Sequence, residues 1–394
     1  MSGFSRDDEL YACLALVKAK GMGPRTWKKI LEHYQSPAQA LEDCRSWKNK
    51  GLVRVDQLEG FLSWSWAKEA DDELELITRK NLKVILWNDP DYPERLKEIS
   101  GPPAMMYCRG DVSLLKNSSL AAVGSRQSSR YGQEMAIAIC SDLAAAGMTI
   151  VSGFAYGIDR QAHLAAVESA GGTIAVLGTG IDLIYPAMNK DLWGKIVEHG
   201  LILTEFSPGT KPDPGNFPYR NRIISGIALG VLVVQSAIKS GSMITAQLAL
   251  DQNREVFAVP GAVNMDNYDG CNHLIKQGAH LVQNAEDILE IIAPMLISPS
   301  GRVKDRKEEI RTGPRPSLPP DLDPDEQAVA QILCLKEQVH IDDLIFTLNW
   351  PSQKVSQTMV IMEIKGLVKR MPGMYYSLTR QPESQRSMVK KQAE

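Results

Sequence analysis

Six short apolar runs between residues 120 and 259 constrain the fold of this 394-residue chain more than any other feature. They are Leu120–Val123, Thr149–Val151, Thr173–Leu177, Leu201–Thr204, Val231–Val234 and Val256–Val259. Each is short and rich in Val, Ile and Leu, which reads as a strand buried on both faces. Amphipathic helical patterns separate most of them, at Gly132–Ala146, Ile158–Ala170, Lys190–Glu198 and Ile244–Gln252. Such alternation builds a mostly parallel sheet with helices on both sides. The expected fold class is α/β, an extended Rossmann-like sheet over residues 83–293. Val84–Trp87 and Met105–Tyr107 are two further short strands.

The flanks differ in pattern. Residues 1–80 read as a helical domain. Within it, 8–42 make two helices around Gly21-Met22-Gly23-Pro24-Arg25. A G-x-G-P turn is the hairpin of a helix-hairpin-helix module, where glycines let amides approach a phosphate and Pro24 suits the first turn. A purely structural turn is the other reading, since Arg25, Lys28 and Lys29 are the only cations close by. Helical periodicity continues through Phe61–Arg79, where Asp71, Asp72, Glu73 and Glu75 read as a solvated acidic face. Residues 294–320 are rich in Pro, Gly, Arg and Lys and read as a flexible linker. Residues 321–380 read as a winged helix: helices Glu326–Leu335, Ile341–Thr347 and Lys354–Gly366, then a hairpin around Pro372-Gly373. Such domains bind duplex DNA or proteins. Here the third helix has modest positive charge and includes Glu363. Residues 381–394 read as a disordered tail.

No apolar run reaches the roughly 18 residues of a membrane span. The polar, acidic start MSGFSRDDEL is not that of a signal peptide. The six cysteines are scattered without a CxxC pair, which fits reduced thiols in a cytoplasmic protein and neither a zinc site nor a disulfide framework. The formal net charge of −3 requires that any nucleic-acid partner be held by a local patch.

In a parallel sheet, ligands sit beyond the carboxyl ends of the strands, so the residues following each run carry the argument. Gly124-Ser125-Arg126 follows the first. Ser152-Gly153-Phe154-Ala155-Tyr156-Gly157-Ile158-Asp159 follows the second. Gly178-Thr179-Gly180-Ile181-Asp182, leading to Tyr185-Pro186 and Asn189-Lys190, follows the third. Glu205-Phe206-Ser207-Pro208-Gly209, leading to Phe217-Pro218-Tyr219-Arg220-Asn221-Arg222, follows the fourth. Gln235-Ser236-Ala237 and Lys239-Ser240-Gly241 follow the fifth, and Pro260-Gly261 follows the sixth. These loops are rich in donors and poor in acid–base groups. That suits a row of phosphates, with backbone amides donating and Arg126, Lys190, Arg220, Arg222 and Lys239 neutralising. For a single loop, a tight strand–helix turn with a solvated arginine explains the pattern equally well; six loops together favour anions. Asn221 either reads a base edge or braces its loop. Trp193, one turn after Lys190, is either a stacking platform or core. Asp159 reads as a helix cap, with His163 placed to pair with it on the same helical face. No catalytic, metal or cofactor site is expected.

Together the segments AVGSR, SGFAYGID, AVLGTGID-LIYP-MNK, FPYRNRIISG, KSGSMITA, REVFAVPG and GCNHLIKQGA resemble the DNA-processing protein A (DprA/Smf) family over residues 83–293. The helical start resembles the sterile-alpha-motif-like or helix-hairpin-helix extension of many members, and the C-terminal part their winged helix. The resemblance implies a bacterial cytosolic homodimer that binds single-stranded DNA. It also implies help in loading the RecA recombinase on incoming DNA in natural transformation. The carried-over DNA-binding positions are Arg126, Lys190, Arg220 and Arg222, and the dimer surface falls near His273–Ala279. Gln235 and Phe154 stand where members commonly have Glu and Leu. The alternative is a nucleoside-phosphate-binding enzyme of a related Rossmann fold. Those enzymes use a P-G-G-x-G-T-x-x-E loop, and Pro260-Gly261-Ala262-Val263 does not supply it. A dinucleotide oxidoreductase is disfavoured because Gly124-Ser125-Arg126 lacks G-x-G-x-x-G spacing.

Overall fold

The computed structural model describes residues 3–34, 36–297, 322–333, 339–348, 350–365, 367–371 and 375–378. It divides into two compact units, Met1–Ser300 and Gly301–Glu394.

In the first unit the apolar runs form strands β1 (Lys83–Leu86), β2 (Met105–Gly110), β3 (Ser119–Gly124), β4 (Thr149–Ser152), β5 (Thr173–Val176), β6 (Leu201–Thr204), β7 (Gly230–Gln235), β8 (Glu255–Ala258) and β9 (His280–Leu281). They make one sheet in the order β1-β2-β6-β5-β4-β3-β7-β8-β9. From β6 to β9 every pairing is parallel, while β2 lies antiparallel to both β1 and β6. The chain runs outward from β3 to β6, then returns to lay β7 on the other side of β3. The strand order therefore reverses between β3 and β7, where open α/β sheets place their ligands. The two-residue β9 has no counterpart among the expected strands.

Strand periodicity gives the sheet a core on each face. In β3, Leu120 and Ala122 join one apolar cluster and Ala121 and Val123 the other; in β7, Leu232 and Val234 face Val231 and Val233 in the same way. One face is covered by α7 (Arg130–Ala145), α8 (Ile158–Ala166) and α13 (Ala285–Ile297). The other is covered by α9 (Lys190–His199), α10 (Asn216–Ile227), α11 (Gly241–Asp251) and α12 (Asp269–Lys276). Two expectations are corrected here. Residues 217–226, expected as loop, lie in α10, because Ile223, Ile224 and Ile227 give the segment a buried helical stripe. Residues 294–297, the start of the expected linker, complete α13; the rest of that linker and the tail 381–394 lie outside the described residues.

The first eighty residues form α1 (Arg6–Lys18), α2 (Pro24–Tyr34), α3 (Pro37–Glu42), α4 (Val55–Leu62) and α5 (Ala67–Arg79), one helix more than expected before residue 43. Ser5 and Asp8 form a capping box on α1. The G-x-G-P turn holds Gly21 at φ +79° and starts α2 at Pro24. Its cation Lys28 donates to the carbonyls of Glu98 and Ile99, and Trp27 donates to that of Pro102. α6 (Glu94–Glu98) leads into that carbonyl-bearing segment. Glu73 departs from the expected solvated face. It is buried, accepts from the Tyr107 hydroxyl, pairs with Lys18 at 2.5 Å and accepts from Ser207 at 2.9 Å. The helical stripe that buries Ala70 and Ile77 carries Glu73 inward with them.

The second unit packs α14 (Pro324–Leu333), α15 (Ile341–Leu348) and α16 (Ser352–Ile364) against a sheet of β10 (Val339–His340), β12 (Tyr375–Leu378) and β11 (Val368–Met371), in that order. Its core includes Val329, Leu344, Val355, Met359, Met362 and Tyr376. Three helices and an antiparallel β11–β12 pair are a winged helix. The turn at Pro372-Gly373 lies outside the described residues. Lys354 pairs with Asp325 at 2.8 Å and Lys365 with Glu326 at 2.5 Å, so both cations at α16 are engaged within the unit.

Candidate nucleic-acid interface

The loop after β3 sits at the strand-order reversal. A Cβ at Gly124 would come within 2.6 Å of Ile158, so glycine lets β3 and α8 close up. The Ser125 amide donates to the Gln235 carbonyl at 2.8 Å, and the Ser125 carbonyl accepts from Ile158 at 3.2 Å. These contacts correct the expectation of an amide at Ser125 turned toward a ligand: it ties β3 to β7. What the loop presents is Arg126, exposed, with its guanidinium 5.5 Å from the Phe217 ring centre. Phe217 in turn stacks on Tyr185 at 5.6 Å and 30° between planes.

The start of the loop after β4 is also internal. Ser152 donates to the Ala122 carbonyl at 2.6 Å, and the Gly153 amide donates to Asp159 at 3.2 Å. Neither reaches the surface, which corrects their expected contact role. Asp159 is not the expected helix cap: Gly157 stands at the N-cap of α8 with no side-chain cap, and the Asp159 carboxylate turns back to accept from Gly153 and Ala155 of the loop. Burial raises its pKa, against the opposing pull of Arg220 and Arg126. His163 does not pair with it; its Nδ1 meets the Thr173 hydroxyl at 2.7 Å. Burial and then the Arg220 charge push the His163 pKa down to about 3, so the imidazole is neutral.

Helix α10 turns its arginines inward. Arg220, 4% exposed, donates through Nη1 to the carbonyls of Gly153, at 2.7 Å, and of Val176. Burial lowers its pKa to about 10 while Asp159 opposes the shift and Arg126 adds to it. Arg222, 8% exposed, is ion-paired to Glu205 and lies 4.3 Å from the Tyr219 ring centre. Burial alone would lower its pKa, but the charge and hydrogen bonds of Glu205 and Tyr219 together outweigh that and the net shift is upward. Asn221 accepts from Arg220 Nε at 3.2 Å and donates to the Gly241 carbonyl at 3.4 Å; it is a brace. The expected surface role of Arg220 and Arg222 is thus corrected: they lie about 200° apart around the helix, yet every residue from Arg220 to Ile227 is buried, so α10 has no solvent face here to present either of them.

Trp193 is likewise core, 8% exposed and edge-on to Phe154 at 5.9 Å, the second of its two readings and not the stacking platform. Lys190 starts α9 and is exposed. Lys239 is exposed just before Ser240, which caps α11. Of the expected cations, Arg126, Lys190 and Lys239 are therefore the exposed ones, and the Arg126 charge is coupled to those of Arg220 and Asp159. Sequence reasoning assigned no contact to the aromatics here: Tyr156, Tyr185 and Tyr219 are 37%, 42% and 42% exposed, and Phe217 is half-buried. The available signal was an aromatic residue in the segments after β4, β5 and β6.

Among the described residues no helix is long and apolar enough to cross a membrane, and no three His, Cys, Asp or Glu side chains are grouped to hold a metal ion. The described cysteines, Cys13, Cys44, Cys108, Cys140 and Cys271, are buried free thiols.

Comparison with known proteins matches residues 83–293 to the family described as DNA recombination-mediator protein A, and residues 313–374 to the DprA winged helix domain. Protein Smf of Synechocystis is 33% identical over 393 residues, covering 92% of this chain and 97% of the relative. DNA processing protein DprA of Streptococcus pneumoniae is 43% identical over 201 residues, covering 51% of this chain and 71% of the relative. The solved structure of the pneumococcal protein superposes with a TM-score of 0.63 at 36% identity, over 73% of this chain and 98% of that one. DNA processing protein A of Helicobacter pylori, a protein with a described single-stranded DNA binding mode, superposes at 0.50 and 30% identity, over 54% of this chain and 97% of that one. The sheet order, the winged helix and these matches agree: the chain belongs to the DprA/Smf family of DNA recombination mediators.

Proposed function

We propose that this chain binds single-stranded DNA along the carboxyl edge of its sheet and acts as a recombination mediator without chemistry of its own. The observation that carries the reading is the Arg126–Phe217–Tyr185 stack, a cation above an aromatic pair at the strand-order reversal. A guanidinium beside stacked rings matches a phosphate beside a base, and neither contact depends on sequence. Lys190 and Lys239 extend the positive edge. The Helicobacter pylori relative supports the choice of a single strand as ligand. The buried carboxylates of this edge support a non-catalytic role: Asp159 caps its loop and Glu205 pairs with Arg222, so neither is offered to a substrate.

In this reading the protein works in the cytoplasm as a homodimer. It protects incoming DNA and helps load the RecA recombinase in natural transformation. The dimer surface is the exposed side of α12 and its following turn, His273–Ala279. The direct test is affinity for oligothymidylate against salt concentration. With about four phosphates held, log affinity falls against log salt with a slope near −3, at about −0.7 per phosphate. Homopolymers of equal length compete alike. A flat salt response, or strict dependence on one sequence, overturns the reading. The dimer is tested by sedimentation of the full chain, with Ile275→Glu expected to yield monomer; an unchanged mass removes α12. RecA loading is tested by recombinase filament growth on strands already coated with single-strand-binding protein, which this chain is expected to accelerate.

A further inference from the structure

A cavity of about 400 Å³ lies beside the edge just described, on the far side of the β3 loop. Ser129, Tyr131, Gly261, Met265 and Tyr268 line it. The Tyr131 and Tyr268 rings stand 5.8 Å apart and 53° inclined. Tyr268 is buried and Tyr131 is 46% exposed, so one ring forms the wall and the other the rim. Gly261 makes room for that wall, since a Cβ there would come 2.0 Å from the Tyr268 ring. Met265, 49% exposed, adds a soft apolar lip. The deep end is polar. Ser129 Oγ reaches Gln235 Oε1 at 3.1 Å and Tyr268 hydroxyl at 3.4 Å, and the wholly buried Gln235 leaves its Nε2 donor unpartnered.

An aromatic-walled, apolar slot with a polar end has the chemistry of a nucleobase site. Its position supplies the rest. Tyr131 is five positions after Arg126, so their Cα atoms are at most ~18 Å apart. Between them lies the start of α7, whose first-turn amides at Arg130 and Tyr131 have no intrahelical acceptor, a place suited to a phosphate. We infer that the cavity is a second base-holding subsite, into which a single strand leaving the Arg126–Phe217 contact places a base between Tyr131 and Met265. This rests on the proposed strand binding and adds where the strand goes next.

The test compares short and long oligothymidylates on the full-length chain. Tyr131→Ala is expected to weaken the long strand by about fivefold to about a hundredfold, the effect of one lost base–aromatic stack. It leaves a short strand that fills only the Arg126 contact unchanged. Tyr131→Phe keeps wild-type affinity. Iodouracil-substituted strands are expected to photocrosslink within residues 129–131 or 260–268, a readout that a merely structural tyrosine does not give. Identical long-strand affinity in wild type and Tyr131→Ala, or crosslinks confined to Tyr185 and Phe217, overturns the subsite while leaving the first contact standing. Competition of that crosslink by thymidine monophosphate but not by long unsubstituted strands makes the cavity a free-nucleotide site and also overturns it. Failure of the wild type to bind any strand overturns both readings together.

Discussion

Arg126 follows β3 and Arg222 follows β6 of one sheet, and they differ in everything but residue type. Arg126 extends from a loop into solvent and touches only an aromatic face. Arg222 lies inside α10, its guanidinium shut in between Glu205 and the Tyr219 ring. The comparison teaches that a cation's role here is set by the element carrying it. A loop frees the side chain for a partner, whereas a helix packed by Ile223, Ile224 and Ile227 commits its arginines to the interior. A buried cation must be paired, so Arg222 belongs to the fold's stability and Arg126 to binding.

The sharpest break between the two is Arg222→Ala. It leaves Glu205 buried without its partner and is expected to cost about 3–5 kcal/mol of stability, read as a fall in the denaturant midpoint. The folded fraction keeps wild-type strand affinity and salt slope. Loss of affinity at full stability would move Arg222 to the interface.

Acid should separate the interior from the rim as well. The His163 pKa, held at about 3 by burial, lies below the ordinary 6.5. Below about pH 6.5 the unfolded chain takes up a proton that the folded chain refuses. Stability therefore falls with pH through the window from 6.5 to about 3, by about 1.4 kcal/mol per pH unit for this group. A His163→Asn variant is expected to lose that part of the slope in denaturant midpoints measured against pH. Equal slopes in the two proteins would show that the imidazole is protonated in place.

Arg126→Ala is the mirror image of Arg222→Ala. Affinity for all homopolymers drops alike, by about 1–3 kcal/mol, and the salt slope becomes shallower by about 0.7 for each phosphate released. The melting curve stays where it was. A stable variant with an unchanged slope would remove Arg126 from the interface.

The smallest effect is expected in the winged helix. Lys354 is 43% exposed beside Asp325 and stands 4.1 Å from the Trp350 ring centre. Lys354→Ala should move that unit's stability by less than about 1 kcal/mol. Because the cation is already paired within its own unit, the strand-binding salt slope of the full chain should not change. A slope made shallower by this variant would extend the interface onto the third helix of the wing.

Local order set by residue pattern is legible in the chain itself. Alternating Val, Ile and Leu runs with amphipathic helices dictate a two-sided parallel sheet, because strand and helix periods depend on neighbours in the chain. Pro24 starts its helix, and the C-terminal segment shows its wing, for the same reason. The loops that end at the sheet's carboxyl edge are legible too, since strand direction fixes which end they occupy. Which side chains those loops keep for the outside is not. Arg220 and Arg222 read as contacts in a string of letters, and Trp193 as either contact or core, yet each is buried against groups from distant segments: Gly153 and Val176, Glu205, Phe154. Glu73 reads as solvated, yet it meets Lys18, Tyr107 and Ser207. Burial is a property of what packs on a residue from elsewhere in the chain. The sequence alone thus determined the sheet, its edges and its family, and only the tertiary structure decided which cations, and which aromatic rings, stand free to meet a strand.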